Sequence, residues 1–428
     1  MTDAAPTPRQ LFRLRSLILS VYLPTFLFSV GQGAVLPIIP LFARDLGASV
    51  AVAGLIVAMR GVGTMLFDLP SGVAVSRFGD RGAMVVGTLL VAVVAVGASL
   101  SRSVLLLAAL ILIMGGGWAF WQVARLAYVS EAAPLRMRGR AMTLVGGVNR
   151  AGNFVGPILG GFLASQYGLE SAFYAQAVMG LAASALMYAV VPRGTGSEEP
   201  VRHGRRGRLV ASLLEHRQIF LSAGLAVIAL QVVRECRYVF LPLWGDRIGL
   251  DVAEIGLAIG ASSLLDAGMF YPVGYVMDRW GRKWAGIPSL LIMSLGFLLL
   301  PATHEAYGFT LVAMLSGLGN GLGAGTLMTL GADFAPAVRR GEFLGVWRFI
   351  GDAGSAGGPI AASLITGAAS LGLASVACAG MGFVGAAVMW RLVPETLRTG
   401  QPHVPEVDEL APPAEQALEL PDPRPDPP

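Results

Sequence analysis

Residues 274–283 read GYVMDRWGRK, and residues 72–81 read GVAVSRFGDR. At a constant offset of 202 residues Gly72 falls on Gly274, Arg77 on Arg279, Gly79 on Gly281 and Arg81 on Lys283, with Pro70 on Pro272 just ahead. The register continues outward. It pairs Pro40 with Pro242, Gly47 with Gly249, Gly54-Leu55 with Gly256-Leu257, Arg138-Gly139 with Arg340-Gly341, and Gly156-Pro157 with Gly358-Pro359. An ungapped self-match over such a distance marks a tandem duplication, so the fold is two copies of one unit.

The unit is a set of membrane spans. The 428-residue chain is 54% hydrophobic and only 14% charged, with 56 glycines and a mean hydropathy of +0.66. That is too apolar for a soluble domain of this size. A helix needs ~20 apolar residues to cross ~30 Å of hydrocarbon. Twelve such runs are expected: 16–40, 50–70, 82–101, 103–127, 140–165, 170–191, 218–243, 252–276, 284–302, 307–331, 342–367 and 371–393. The first is too long and too well continued for a cleaved signal peptide. The expected organisation is a cytoplasmic segment 1–15, a six-helix bundle 16–191, a basic linker 192–217, a second bundle 218–393 and a tail 394–428. The tail is Pro-rich and acidic, a composition that predicts disorder.

Arginine placement sets an expected orientation, because positive residues in short loops stay cytoplasmic. Alternate turns hold Arg77 and Arg81; Arg136, Arg138 and Arg140; Arg202, Arg205, Arg206 and Arg208; Arg279, Arg282 and Lys283; and Arg339 and Arg340. The other side holds only Arg44, Arg102 and Arg247. Both termini are therefore expected on the cytoplasmic face.

With these motifs the sequence resembles the major facilitator superfamily, and within it the twelve-span drug:proton antiporters. The superfamily signature G-x-x-x-D-R-x-G-R-[KR] is met in full by Gly274, Asp278, Arg279, Gly281, Arg282 and Lys283. The first copy keeps Gly72, Arg77, Gly79 and Arg81 but has Ser76 for the aspartate and Asp80 for the first arginine. The exporter-associated signature of the fifth span, ending G-P-x-x-G-G, is met by Gly152, Gly156, Pro157, Gly160 and Gly161. The resemblance implies an all-α membrane protein of twelve transmembrane helices in two pseudo-symmetric six-helix bundles. It also implies alternating access, in which one bundle rocks against the other. The charged turns then serve as a cytoplasmic gate. Asp278 is expected against the positive end of the span starting near Gly139. Arg279 and Lys283 are expected on Glu131 and Asp333. Gly152, Gly156 and Gly160 form a flat face suited to close helix packing, which in the resembled exporters seals the contact between halves.

Charges within spans are costly and mark function by default. Arg60, Arg150, Asp266 and Asp352 fall at similar depth. Span adjacency in the resembled fold predicts Arg150 opposite Asp266 and Arg60 opposite Asp352, with both carboxylates as candidate proton sites. Arg234, Glu235 and Arg237 crowd the seventh span. Trp118, Trp121 and Gln122 on the fourth are either packing or the wall of a substrate pocket. Asp68, ahead of the first signature, is expected either to cap the gate or to relay protons.

Other chemistries lack residues. Cys236 and Cys378 sit in apolar runs with no metal spacing, none of the four histidines falls mid-span, and there is no nucleotide-binding loop. No cofactor, metal or enzymatic activity is expected, and no nucleic-acid partner. The expected function is proton-coupled export of small amphipathic or drug-like molecules by a monomer in a bacterial inner membrane. The alternatives are a proton-coupled importer of a sugar or other metabolite, and a non-transporting receptor or scaffold on the same fold.

Overall fold

The structure, a computed structural model, describes residues 17–133, 135–192, 213–336 and 340–397. Several expectations lie outside these residues: those on segment 1–15, on the linker arginines 202–208, on Arg339, and on the tail beyond Leu397. All regular structure among the described residues is helical. The helices are α1 (Leu23–Val35), α2 (Ile38–Asp45), α3 (Val50–Ser99), α4 (Val104–Ala132), α5 (Leu135–Tyr167), α6 (Glu170–Val190), α7 (Leu225–Arg247), α8 (Val252–Arg279), α9 (Lys283–Leu299), α10 (Ala306–Leu322), α11 (Thr326–Phe334), α12 (Arg340–Ala368) and α13 (Leu371–Leu392).

Ten described segments are long and apolar enough to cross a membrane, two of them within α3 (Val50–Asp68 and Arg77–Ser99). The glycine- and arginine-bearing helices α5 and α12 fall short of that apolarity while packing among the others.

The duplication reaches backbone detail. A π turn at Ile18–Tyr22 is repeated at Phe220–Gly224. Gly47 and Gly249 both take positive φ (88° and 79°), as do Gly79 and Gly281 (69° and 107°). These are left-handed turns that a Cβ would strain, so the repeated glycines are backbone requirements. Helix starts repeat as well. Ser49 caps α3 by accepting from the Val52 amide at 3.3 Å, and at the matching position Asp251 opens α8 with a reciprocal capping box to Glu254.

Helices α1 and α3–α6 pack among themselves, as do α7–α10, α12 and α13. The two sets meet mainly along α5–α8 and α3–α12. Small residues allow both seams. A Cβ on Gly256 would lie 2.9 Å from the Gly161 Cα, and one on Gly61 would lie 3.2 Å from the Ala356 Cα.

The fifth-span face needs a correction. Gly152, Gly156 and Gly160 do not face the other set but pack on α1, where Cβ atoms would meet Phe26 O at 2.9 Å, Gly33 Cα at 2.6 Å and Ala34 Cα at 2.6 Å. Gly354 and Gly358 pack on α7 in the same way, against Ile228 O at 2.9 Å and Val232 Cα at 2.8 Å. Four-residue spacing gives a helix one flat face, and that face is used within a set. Gly161, about 100° further round the helix, meets α8.

The two ends of the molecule differ. At the end away from the arginine-rich turns, one apolar core runs across both sets, joining Leu36, Ile39 and Phe42 to Val239, Phe240 and Leu243. At the arginine-rich end the apolar clusters are separate. Leu17, Val21, Val129 and Val145 form one, and Phe220, Leu330, Phe343 and Trp347 another. The molecule is closed at one end and parted at the other.

Candidate functional site

Between the sets lies a cavity of about 530 Å³. One set contributes Gln32, Leu36, Arg60, Thr64, Trp118, Gln122, Asn149 and Asn153. The other contributes Gln231, Arg234, Glu235, Tyr238, Met328, Trp347, Arg348, Asp352 and Ser355. Met328, on the wall toward the arginine-rich end, is 69% exposed, as a wall open on that side requires.

Among the described residues three ion pairs bridge the sets. Arg150 of α5 is bonded to Asp266 of α8 through Nη1 and the carboxylate, and the Phe270 ring lies 4.9 Å from the guanidinium. This pair sits on the α5–α8 seam beside the cavity wall. Arg60 of α3 does not reach Asp352. Its Nη2 lies 3.4 Å from Glu235 Oε2 on α7, with the Tyr238 ring 5.9 Å away. The third pair centres on Arg348, which the sequence reading passed over. It reaches Asp68 on α3 at 2.7 Å and, one turn along its own helix, Asp352 at 3.9 Å. Equal depth places two charges at one height but does not say which way round its helix each points. The signal available for Arg348 was its spacing of four before Asp352, which stacks the two on one helix face.

Among the described residues Arg234 donates only to neutral acceptors. Nη1 donates to Gln231 Oε1 at 3.1 Å and Nη2 to the Gly323 carbonyl at 3.0 Å, where α10 breaks before α11. Arg237 is buried behind it, 5.6 Å from the Tyr238 ring centroid. Of the aromatic cluster, Trp118 and Gln122 line the cavity, but Trp121 is fully buried behind them. It packs on Phe28 at 4.6 Å and under the Arg125 guanidinium at 3.9 Å. Polar contacts within each set hold further wall residues, with Gln231 donating to Ser355 Oγ at 3.0 Å and Asn149 donating to Ser29 Oγ at 2.9 Å.

The signature turns hold different partners from those expected. Asp278 is exposed and has no ion pair among the described residues. Positions 139 and 274 face open space. Arg279 bonds Tyr275 Oη on its own helix. Arg282, rather than Arg279 or Lys283, reaches Asp333 at 2.8 Å. Lys283 donates to the Trp390 carbonyl at 2.9 Å, and in matching register Arg81 donates to the Tyr188 carbonyl. The last residue of each signature therefore ties its turn to the final helix of its own set. In the first copy Asp80 stands where Arg282 stands, so it cannot pair with the exposed Glu131; Arg77 is exposed too.

The start of the tail is ordered where disorder was expected. Glu395 accepts from the Arg282 and Lys283 amides at 2.9 and 3.1 Å, and Thr396 donates to Asp333 at 2.6 Å. These amides are the unpaired donors at the start of α9, which a carboxylate satisfies.

The two packed helix sets around a central polar cavity define a membrane transporter fold. The chain belongs to the Major Facilitator Superfamily, whose family model matches residues 21–233 and 223–422. It is 23% identical over 339 residues to an uncharacterized transporter of this type from Methanocaldococcus jannaschii, covering 78% of this chain and 87% of the relative. It is 25% identical over 342 residues to multidrug resistance protein MdtH of Klebsiella pneumoniae, covering 77% and 82%. Among solved structures, a D-xylose-proton symporter superposes with a TM-score of 0.69 at 17% identity, over 89% of this chain and 98% of that one.

Proposed function

We propose that this chain is a proton-coupled exporter of small amphipathic molecules, working by alternating access as a monomer in a bacterial inner membrane. In this reading α5 and α12 also span, which makes twelve spans in two six-helix halves, with the arginine-rich end and both termini cytoplasmic. One observation carries the proposal: the cavity has walls from both halves, is closed on one side by a shared apolar core, and is open on the arginine-rich side. That is the geometry of a carrier waiting to load from the cytoplasm. The multidrug relative supports the outward direction of transport.

Arg348 is the coupling element in this reading. It shares its charge between Asp68 at 2.7 Å and Asp352 at 3.9 Å, and so ties α3 to α12. Protonating Asp68 removes the counter-charge across the seam and weakens the tie, whereas protonating Asp352, one turn along Arg348's own helix, frees Arg348 for Asp68 and strengthens it. Load and proton then act on one seam. The second signature turn, with Asp278 free, is the disengaged form of a latch that closes when the arginine-rich ends come together.

The test is transport in inverted membrane vesicles, against a panel of fluorescent amphipaths, with and without an imposed pH gradient. Accumulation driven by an acid interior, and abolished in Asp352→Asn, is the expected result. Accumulation driven by the opposite gradient would identify an importer. No gradient-dependent movement of any compound would leave the non-transporting alternative.

A further inference from the structure

We infer that Arg234 is the binding point for an anionic head group, so that the substrate is an amphipathic organic acid; this rests on the exporter reading above. The argument begins with charge pairing around the cavity. Arg60 is matched by Glu235 and Arg348 by Asp68 and Asp352, and beside the wall Arg150 is matched by Asp266. Arg234 lines the same cavity and makes no ion pair among the described residues; the carboxylates near enough to act on its charge, Asp266 and Glu235, are already bonded to Arg150 and Arg60.

What Arg234 does contact is insufficient to neutralise it. The Gln231 amide is uncharged, and the Gly323 carbonyl, at the C-terminal end of α10, supplies at most about half an opposite charge. A guanidinium carries five N–H donors in a planar fork. Two are used, and Nε is buried without a hydrogen-bond partner. Arg237, three residues on and 7% exposed, adds a second cation that also lacks a carboxylate. Over the whole cluster the five arginines Arg60, Arg150, Arg234, Arg237 and Arg348 face the four carboxylates Asp68, Glu235, Asp266 and Asp352, an excess of one positive charge that a bound negative group would offset.

A second orphan lies on the same cavity. Gln32 is 3% exposed, lines the wall, and its Nε2 has no hydrogen-bond partner. Both unsatisfied groups are donors on side chains that line the cavity, and rotation of either side chain would turn its shielded donor toward an acceptor bound there. A carboxylate, phosphate or sulfonate supplies acceptor oxygens and charge together, and planar carboxylates suit the guanidinium fork best. The remaining wall suits an apolar body, with Leu36, Trp118, Tyr238 and Met328 around it. A volume of about 530 Å³ suits one drug-sized molecule.

The experiment uses the full chain purified in detergent and three probes with one body: pyrenebutyrate, its methyl ester, and a pyrenebutyl trimethylammonium. Fluorescence titration gives the affinities. The acid is expected to bind about 10- to 100-fold more tightly than the ester, the range of one charge-assisted contact. Arg234→Gln should erase that preference by weakening the acid and leaving the ester unchanged, while Arg234→Lys should retain part of it. If the ester or the ammonium binds as tightly as the acid, or if the acid preference survives in Arg234→Gln, the inference falls and the exporter reading stands. If none of the three binds, the amphipath reading falls with it. Should Arg234→Gln fail to fold, the acid–ester comparison in the native protein together with Arg234→Lys still decides.

Discussion

Breaking the Arg150–Asp266 pair should destabilise the seam between α5 and α8, and the size of the effect can be worked from its surroundings. Removing one partner of a buried pair costs about 3–5 kcal/mol because the other charge is left uncompensated. Here the side chains are 19% and 14% exposed, so water screens part of the charge and about 2–3 kcal/mol is expected for Asp266→Asn. Arg150→Gln also loses the Phe270 ring at 4.9 Å, a cation–π contact of about 0.5–1 kcal/mol, and should be the worse variant. The double variant leaves neither charge unpaired, so its loss should fall short of the sum by about 1–3 kcal/mol. Equilibrium unfolding in mixed micelles measures all four corners of the cycle. The swap Arg150→Asp with Asp266→Arg should recover stability while proton coupling stays impaired. A coupling energy within about 0.5 kcal/mol of zero would refute the pairing argument, because independent sites add to that tolerance.

Other outcomes follow from the geometry. Asp278→Asn should lower transport in vesicles without affecting stability in the form open at the arginine-rich end, where the residue has no ion pair among the described residues; wild-type turnover would remove the latch from the proposed mechanism. In a background with Cys236 and Cys378 replaced by serine, Met328→Cys should react with a membrane-impermeant maleimide from the cytoplasmic face, and reaction only from the opposite face would reverse the assigned orientation. Gly281→Ala should lower thermal stability more than Gly274→Ala, since Gly281 has φ 107° and a Cβ there would meet the Glu395 carboxyl, whereas position 274 faces open space. The strain alone is about 1–2 kcal/mol, and equal melting temperatures for the two variants would count against it. Gly256→Ala places a Cβ 2.9 Å from the Gly161 Cα, so it should loosen the closed end and raise labelling from the face away from the arginine-rich turns.

What the sequence determined by itself is local or periodic. Apolar runs of span length and arginines in alternate turns follow from a residue and its near neighbours, and the register of 202 residues from matching the sequence to itself; together they were enough for an all-helical major facilitator fold. The repeated glycines were legible for the same reason, since a left-handed turn at Gly79 or Gly281 is a property of the backbone there. Pairing of charges is of another kind. Arg150 and Asp266 could be matched from depth and helix adjacency, but the same logic joined Arg60 to Asp352, because rotation about a helix axis is settled only by packing. Tertiary structure gave Arg60 to Glu235, which stands 175 residues away, and Arg348 to Asp68, which stands 280 away. The state of the gate was equally out of reach. A carrier holds two packings of one sequence close in free energy. Only the three-dimensional arrangement, with one core shared across the halves and the others divided, decides that the arginine-rich end is the open one.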